Sequence, residues 1–258
     1  MLTHSDPFYS SKFSIKWAKD HIAELKREIN EFFTDDIYTG GIEPDTEGIY
    51  NLAKVRLTKP MPHCLDGHVT DTVHNLRAAL DQVIYTVASL NNTLHLKGTP
   101  SLTIRDDKAE FDRKVESVTG KWVPAEILDL VRALEPYKGG NDLIWALNNM
   151  CNSNKHGFIR PVPISTANVK FAGKIFDGGP EILTSPKWDH SKNEMVVARA
   201  KVEASFDLNL NFSFSVVFDD FEIVAGKPVL DTLNECANIV QGFVMGIEAE
   251  CSRIGLIS

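Results

Sequence analysis

Residues 208–219 read Leu-Asn-Leu-Asn-Phe-Ser-Phe-Ser-Val-Val-Phe-Asp, and this stretch decides the fold class. Apolar side chains occupy every even position from Leu208 to Phe218, while Asn or Ser occupies most of the odd positions between them. Because successive side chains of a strand point to opposite faces, this period of two predicts an amphipathic β-strand. One apolar face and one polar face are typical of an antiparallel sheet that is covered on one side.

Two stretches that precede this strand share its period of two. One is centred on Phe171, and the other, residues 196–204, has Val or Ala at each even position. Together the three stretches predict an antiparallel sheet over about residues 159–224. A single earlier strand is predicted near residues 49–58, where apolar residues again alternate with polar ones.

Amphipathic helices are predicted before the sheet. Apolar residues at intervals of three or four mark a first helix over about residues 12–33 and a second over about residues 65–90. Shorter helices are predicted near residues 107–118, 124–136 and 141–155; Pro124 and Pro136 bound the second, and Asn141 or Asp142 can cap the third after the break at Gly139 and Gly140.

A last long helix is predicted over residues 229–254, directly after Pro228. Its apolar residues recur every seven positions, which is typical of a helix that packs along another helix. Gly242 and Gly246 lie on this helix, and the absence of a side chain lets another backbone approach closely. The apolar seams of the first and last helices exceed what one sheet covers, so the chain is expected to form a homodimer.

These elements predict an α+β fold: a bundle of long amphipathic helices carries the antiparallel sheet and is closed by the long C-terminal helix. The helical part covers residues 12–156 with one strand near 49–58, the sheet covers 159–224, and the last helix covers 229–254. No internal repeat or long polar linker divides the sequence, so residues 1–258 are expected to form a single domain.

Composition limits the classes of partner. The 258 residues include 27 Lys and Arg against 35 Asp and Glu, a formal net charge of −8, which disfavours a general hold on DNA. No stretch reaches the roughly 18 consecutive apolar residues of a membrane span, and the first residues lack the features of a signal peptide. Four widely spaced cysteines are typical of thiols in a reducing compartment. The expected location is the cytoplasm, without membrane association.

The first segment with candidate functional residues lies in the second long helix. Residues 74–81 read His-Asn-Leu-Arg-Ala-Ala-Leu-Asp. Arg77 and Asp81 are four residues apart, so they can pair on one helix face, and His74 lies along the same side.

The second segment ends the helix near residues 141–155. Residues 148–157 read Asn-Asn-Met-Cys-Asn-Ser-Asn-Lys-His-Gly, so Asn149, Asn152 and His156 form a polar stripe along the helix. Asn is a poor helix former, and several of them in one helix indicate hydrogen bonds to other elements. We therefore expect this helix to lie beside the helix that carries Arg77, because each supplies polar partners for the other.

Metal ligation has little support in the sequence. His63, Cys64 and His68 lie close together and are of types that bind zinc, but their spacing matches no established motif. The signatures of nucleotide-binding loops and of nucleophile elbows are also absent from the sequence. Neither a metal ion nor a cofactor is predicted.

The two segments resemble a widespread group of uncharacterised bacterial proteins. That group has one helix reading roughly H-N-L-R-x-A-L-D, as in residues 74–81, and a later helix reading L-W-x-L-x-x-L-x-N-x-D-K-H-R, which Trp145 and His156 match here. This chain has Asn154 where the group has Asp, and Gly157 where the group has Arg. The resemblance covers most of the chain but implies no activity, because none is established for the group.

The helices are more distantly similar to the HEPN superfamily, whose helical bundles often dimerise and cleave RNA without a metal ion. The motif of that superfamily is an Arg followed a few residues later by His. His156 matches the His, but the Arg position falls on Asn149, Met150 or Cys151. Arg77 is therefore the candidate replacement for the missing cation, which would hold the phosphate while His156 acts as general acid or base.

The similarity to HEPN proteins implies metal-independent RNA cleavage, or RNA or nucleotide binding, in bacterial stress or defence. On this interpretation His156 and Arg77 are the catalytic residues. The substrate-binding residues are then Asn149, Asn152, Lys155, His74 and Asp81.

The alternative interpretation is a non-catalytic, homo-oligomeric binding or scaffold protein. In it, the polar stripe of Asn149, Asn152 and His156 only fixes how the helices pack, and His156 caps the helix end. The net negative charge and the missing motif Arg favour this alternative, whereas the adjacent Lys155 and His156 favour the RNA-directed one.

Overall fold

The structure is a computed structural model, and it confirms the α+β class. It describes residues 5–33, 37–152, 159–163, 170–172, 181–183, 188–189, 191–202, 207–209, 214–219 and 221–257. The elements in these residues are α1 (Tyr9–Phe32), β1 (Tyr38–Pro44), β2 (Tyr50–Leu57), α2 (His63–Leu90), α3 (Lys108–Val115), α4 (Ala125–Leu134), α5 (Asp142–Asn152), β3 (Ile159–Pro163), β4 (Lys170–Ala172), β5 (Glu181–Ile182), β6 (Trp188–Asp189), β7 (Glu194–Lys201), β8 (Asp207–Asn209), β9 (Phe214–Phe218) and α6 (Val229–Arg253). A π-helical turn (Glu116–Gly120) follows α3 directly.

The chain divides into two compact units that interleave in sequence. The helical unit comprises Met1–Lys26, Asp66–Phe158 and Phe218–Ser258, and the sheet unit comprises Arg27–Leu65 and Ile159–Val217. The expectation of one continuous domain stays a prediction.

The helical unit is built on the apolar seams that the sequence predicts. Along α2 every apolar residue of the predicted seam from Val69 to Val87 is buried, and along α6 the same holds for Leu233, Val240 and Ile247. Burial of one apolar face is what stabilises long amphipathic helices of this kind. Among the described helices, none is long and apolar enough to cross a membrane.

The main antiparallel sheet of the sheet unit extends beyond the predicted residues 159–224. Its strand order is β1-β2-β7, and both β5 and β6 pair with the other side of β7. The strand predicted near 49–58 is therefore an inner strand of the sheet. β1 lies outside the predicted strands, because Gly40 and Gly41 signal a break in the sequence; an edge strand such as β1 tolerates them.

The remaining strands form two small two-stranded sheets. β4 pairs with β8 in antiparallel orientation, and β3 is hydrogen-bonded to β9. The predicted strand over residues 208–219 corresponds to β8 and β9, and residues 210–213 lie outside the described residues.

A β-bulge in β7 changes the predicted alternation of side chains. Ala198 pairs with Ala53, whereas Val196 pairs with Lys54, so Val197 is an extra residue in the strand. The buried apolar positions are therefore odd-numbered before the bulge and even-numbered after it. The predicted apolar face is correct for the second half of β7 and wrong at Val196, which is only partly buried.

Candidate functional site

Arg77 lies in a polar cluster between α2 and α5. Its Nη1 donates to Asp81 Oδ1 at 2.8 Å, and its Nε donates to Asn148 Oδ1 at 3.1 Å. Its Nη2 lies 3.5 Å from the backbone oxygen of Leu102. The side chain of Arg77 is only 18% exposed. Each nitrogen of the guanidinium group therefore lies against an acceptor of the chain itself, which holds the group in one orientation.

Asp81 ties a third segment into this cluster. Its Oδ1 accepts the hydrogen bond from Arg77 and a second one from the backbone N–H of Leu102 at 3.0 Å. The segment around Leu102 follows α2 in sequence and forms no helix or strand. Asp81 thus connects this irregular segment to α2, as a structural carboxylate does.

The contact between α2 and α5 confirms the predicted neighbourhood of the two polar helices. Besides the bond between Arg77 and Asn148, the thiol of Cys151 on α5 lies 3.5 Å from the backbone oxygen of Val73 on α2. Burial raises the pKa of Cys151 to about 11. A thiol with that pKa is protonated at neutral pH and is a poor nucleophile.

The start of α5 is fixed by two polar contacts. Asn141 caps the helix, because its Oδ1 accepts a hydrogen bond from the backbone N–H of Ile144 at 3.2 Å. Trp145, the tryptophan of the resemblance motif, donates from Nε1 to Asp106 Oδ1 at 3.0 Å, and the ammonium group of Lys138 lies 5.2 Å from the ring centre. Trp145 is also buried, and together these contacts anchor α5.

The remaining predicted site residues are distributed differently. His74 is exposed on α2, Asn149 is partly buried on α5, and Asn152 is exposed at the end of α5. Lys155 and His156 lie outside the described residues, so their roles stay predictions. The structure thus brings Arg77 and Asp81 together, and it adds Asn148 and Leu102, which the sequence analysis did not select.

A charged cluster in the sheet unit was also missed. Glu194 of β7, with its side chain 5% exposed, accepts from Arg56 Nε at 3.0 Å and from Lys54 Nζ at 3.1 Å. Glu43 of β1 accepts from the same Lys54 at 2.9 Å. Burial raises the pKa of Glu194, but the bonds from Arg56 and Lys54 outweigh it and leave the pKa below its usual value. The cluster contains two cations and two anions and is therefore balanced.

An aromatic ladder runs along α1 at intervals of four residues. The rings of Tyr9, Phe13, Trp17 and His21 follow one another with centroid distances of 5.4, 5.9 and 6.0 Å. The Nδ1 atom of His21 then lies 3.3 Å from Nδ1 of His68 on α2. Phe13 and Trp17 are 37% and 46% exposed. The interval of four residues between these rings is present in the sequence, but the apolar seam of the same helix has similar intervals and makes it hard to recognise.

The described residues contain no group of three or more His, Cys, Asp or Glu placed to hold a metal ion. Comparisons with protein-family models, with curated proteins and with solved structures found no match to this chain. Both resemblances suggested by residues 74–81 and His156 therefore stay predictions.

Proposed function

We propose that this chain is a non-catalytic, self-associating binding or scaffold protein of the cytoplasm. In this proposal the polar residues of α2 and α5 organise the helical unit and do not act on a substrate. The observation that carries the proposal is the engagement of Arg77 by Asp81, Asn148 and Leu102.

The chemistry of phosphate binding supports this choice. An arginine that stabilises a phosphate in a transition state has to direct its donors at the place where negative charge develops. Here the guanidinium group faces a carboxylate, an amide oxygen and a backbone carbonyl of its own chain. Turning it toward a ligand would leave Asp81 and Asn148 without this partner, which is unfavourable for partly buried groups.

A cleavage assay tests the proposal. Purified protein at high concentration is incubated with a mixed RNA pool, with and without EDTA, and the products are examined for 2′,3′-cyclic phosphate ends. We expect no cleavage in either condition. Cleavage that persists in EDTA and disappears in His156→Ala would overturn the non-catalytic proposal.

The second candidate function is the metal-independent ribonuclease. It is favoured by the contact of α5 with Arg77, because the same helix leads in sequence to Lys155 and His156. In that case Arg77 has to leave Asn148 to reach a phosphate. Cleavage by the wild type should then be lost in both Arg77→Gln and His156→Gln and should be retained in Asp71→Asn, a variant at an exposed position of α2.

A further inference from the structure

A groove of about 500 Å³ lies between α1 and α6 of the helical unit. Its apolar lining comes from Ile15, Val244 and Met245, and Met245 is 54% exposed. Such an exposed apolar side chain beside a groove of the same surface is typical of an interaction site.

The charged rim of the groove is compensated within the chain. Lys12 pairs with Glu248 at 2.6 Å, Lys16 pairs with Asp20 at 2.5 Å, and Lys19 donates to Gln241. Because each lysine already has an acceptor, the rim does not call for a charged ligand. A protein surface with matching shape suits this groove better than a phosphate or a carboxylate does.

Exposed residues of α6 are arranged symmetrically about a point between Phe243 and Val244, which lies two to three residues beyond the midpoint of the helix at Gln241. These residues include Glu235, Asn238, Gly242, Met245, Ala249 and Ser252. If a second copy of α6 lies antiparallel across a two-fold axis at this point, Met245 of each copy faces Gly242 of the other, and Asn238 faces Ala249. The large side chain of Met245 then packs over a glycine at two positions that the two-fold axis relates.

Among the described residues, no neighbouring element packs closely against the two glycines of α6. A Cβ atom at Gly242 or at Gly246 would meet no atom within 4 Å. Glycine inside a helix destabilises the helix relative to alanine, so two of them need another reason. A second helix at the short interaxial distance of roughly 8 Å would supply that reason, because only small residues permit it.

Charge and area both fit a second copy. The same symmetric arrangement places Arg253, which is 63% exposed and pairs with Glu250 of its own helix at 2.5 Å, opposite Asn234 and beside Glu235 of the other copy, so its exposed guanidinium group would be shared between two carboxylates. Two α6 helices centred on this point overlap over residues 234–253, about 30 Å at 1.5 Å per residue, and a face two helices wide is about 20 Å across. The resulting area of about 600 Å² is somewhat below the roughly 800 Å² that each partner contributes to a standard interface.

We infer that two copies of this chain associate through the face formed by α1 and α6, with their α6 helices antiparallel and Met245 of each copy packed against Gly242 of the other. This inference rests on the proposed self-association and names its surface.

Light scattering and sedimentation of the full chain at several concentrations test the inference. The wild type should have twice the chain mass, and Met245→Glu should weaken the dimer at least tenfold. Ile49→Glu is the matched control, because Ile49 is 50% exposed in the sheet unit and should leave the dimer intact. Circular dichroism should be the same for the three proteins.

A charge exchange gives an independent second test. Glu235→Arg and Arg253→Glu should each weaken the dimer, since each places like charges together, and the double variant should restore it. A dimeric wild type that is unaffected by all these changes would overturn the assigned surface but leave the proposed self-association standing. A wild type that is monomeric at tens of micromolar would overturn both, and equal dissociation in Ile49→Glu would also count against the surface.

Discussion

Arg56 and Glu194 are register partners across β2 and β7, and they are also joined side chain to side chain. The Nε atom of Arg56 donates to Oε2 of Glu194 at 3.0 Å, and its Nη2 reaches the same oxygen. Lys54 approaches the other carboxylate oxygen of Glu194 at 3.1 Å. A carboxylate that is 5% exposed thus has both oxygens bound by cations, so the folded sheet stabilises its ionised form.

The first prediction is acid sensitivity of the sheet unit. The pKa of Glu194 is lowered in the folded state from the ordinary value of 4.5, so its contribution to stability is present above pH 4.5 and is lost as the pH falls through the folded pKa. Melting temperatures measured from pH 7 down to pH 3 should fall less steeply in Glu194→Gln than in the wild type. Equal slopes in the two proteins would mean that the titration of Glu194 is not coupled to folding.

The second prediction concerns Asp81. Asp81→Ala removes the acceptor for Arg77 and for the backbone N–H of Leu102, so it should lower the free energy of unfolding by roughly 1–3 kcal/mol. Urea unfolding followed by circular dichroism measures this loss. Asp71→Ala, at an exposed position of the same helix, is the control and should change stability little. An unchanged Asp81→Ala protein would contradict the structural role of the cluster.

The third prediction separates architecture from catalysis at His156. If this residue is structural, His156→Gln should be tolerated within about 1 kcal/mol, because Gln keeps a hydrogen-bonding side chain, while His156→Ala should lose more. If it is a general acid or base, both variants should lose RNA cleavage by about 10²-fold or more, with little effect of Gln on stability. Thermal melts come first, since they need no assay. Outright unfolding of His156→Gln would remove it as a catalytic candidate.

The fourth prediction is selective alkylation of the cysteines. The hydrogen bond with Glu28 raises the pKa of the Cys64 thiol as well, but Cys64 is exposed, whereas burial raises the pKa of Cys151 to about 11 and that of Cys236 to about 12. Only thiolates react quickly with iodoacetamide, and access is also required. Mass spectrometry after brief labelling at pH 7.5 should therefore find Cys64 modified well before the others, and urea should abolish the difference. Early labelling of Cys236 would show that α6 is not packed as described.

Local patterns predicted the helices better than they predicted the sheet. The seams of α2 and α6 are repeated many times along each helix, so single exceptions do not hide them. β1 was missed because its glycines are read locally as a turn, and only its pairing with β2 reveals a strand. The predicted apolar face of β7 was correct for only half of the strand, because the bulge at Val197 depends on pairing with the partner strand and leaves no local signal in the sequence.

Local sequence patterns also found only part of the candidate site. Arg77 and Asp81 were found because they are four residues apart on one helix, a distance at which sequence spacing is informative. Asn148 is 71 positions from Arg77, and Glu194 is 138 positions from Arg56, so these partners depend on the fold. Spacing cannot identify contacts of that kind.

The bulge in β7 has a consequence for the length of this strand. Val197 is the residue without its own partner on β2, so a chain that lacks it keeps Ala198 opposite Ala53 and Glu194 opposite Arg56. Deleting Arg199 instead would shift the register by one residue, so the side chains on one side of the deletion would point to the opposite face of the sheet. A scan of single-residue deletions along β7 should therefore find position 197 more tolerant than position 199, because the pairing with β2 survives and the loss is limited to the buried Val197 side chain and to the hydrogen bond that its carbonyl accepts from the Leu183 N–H.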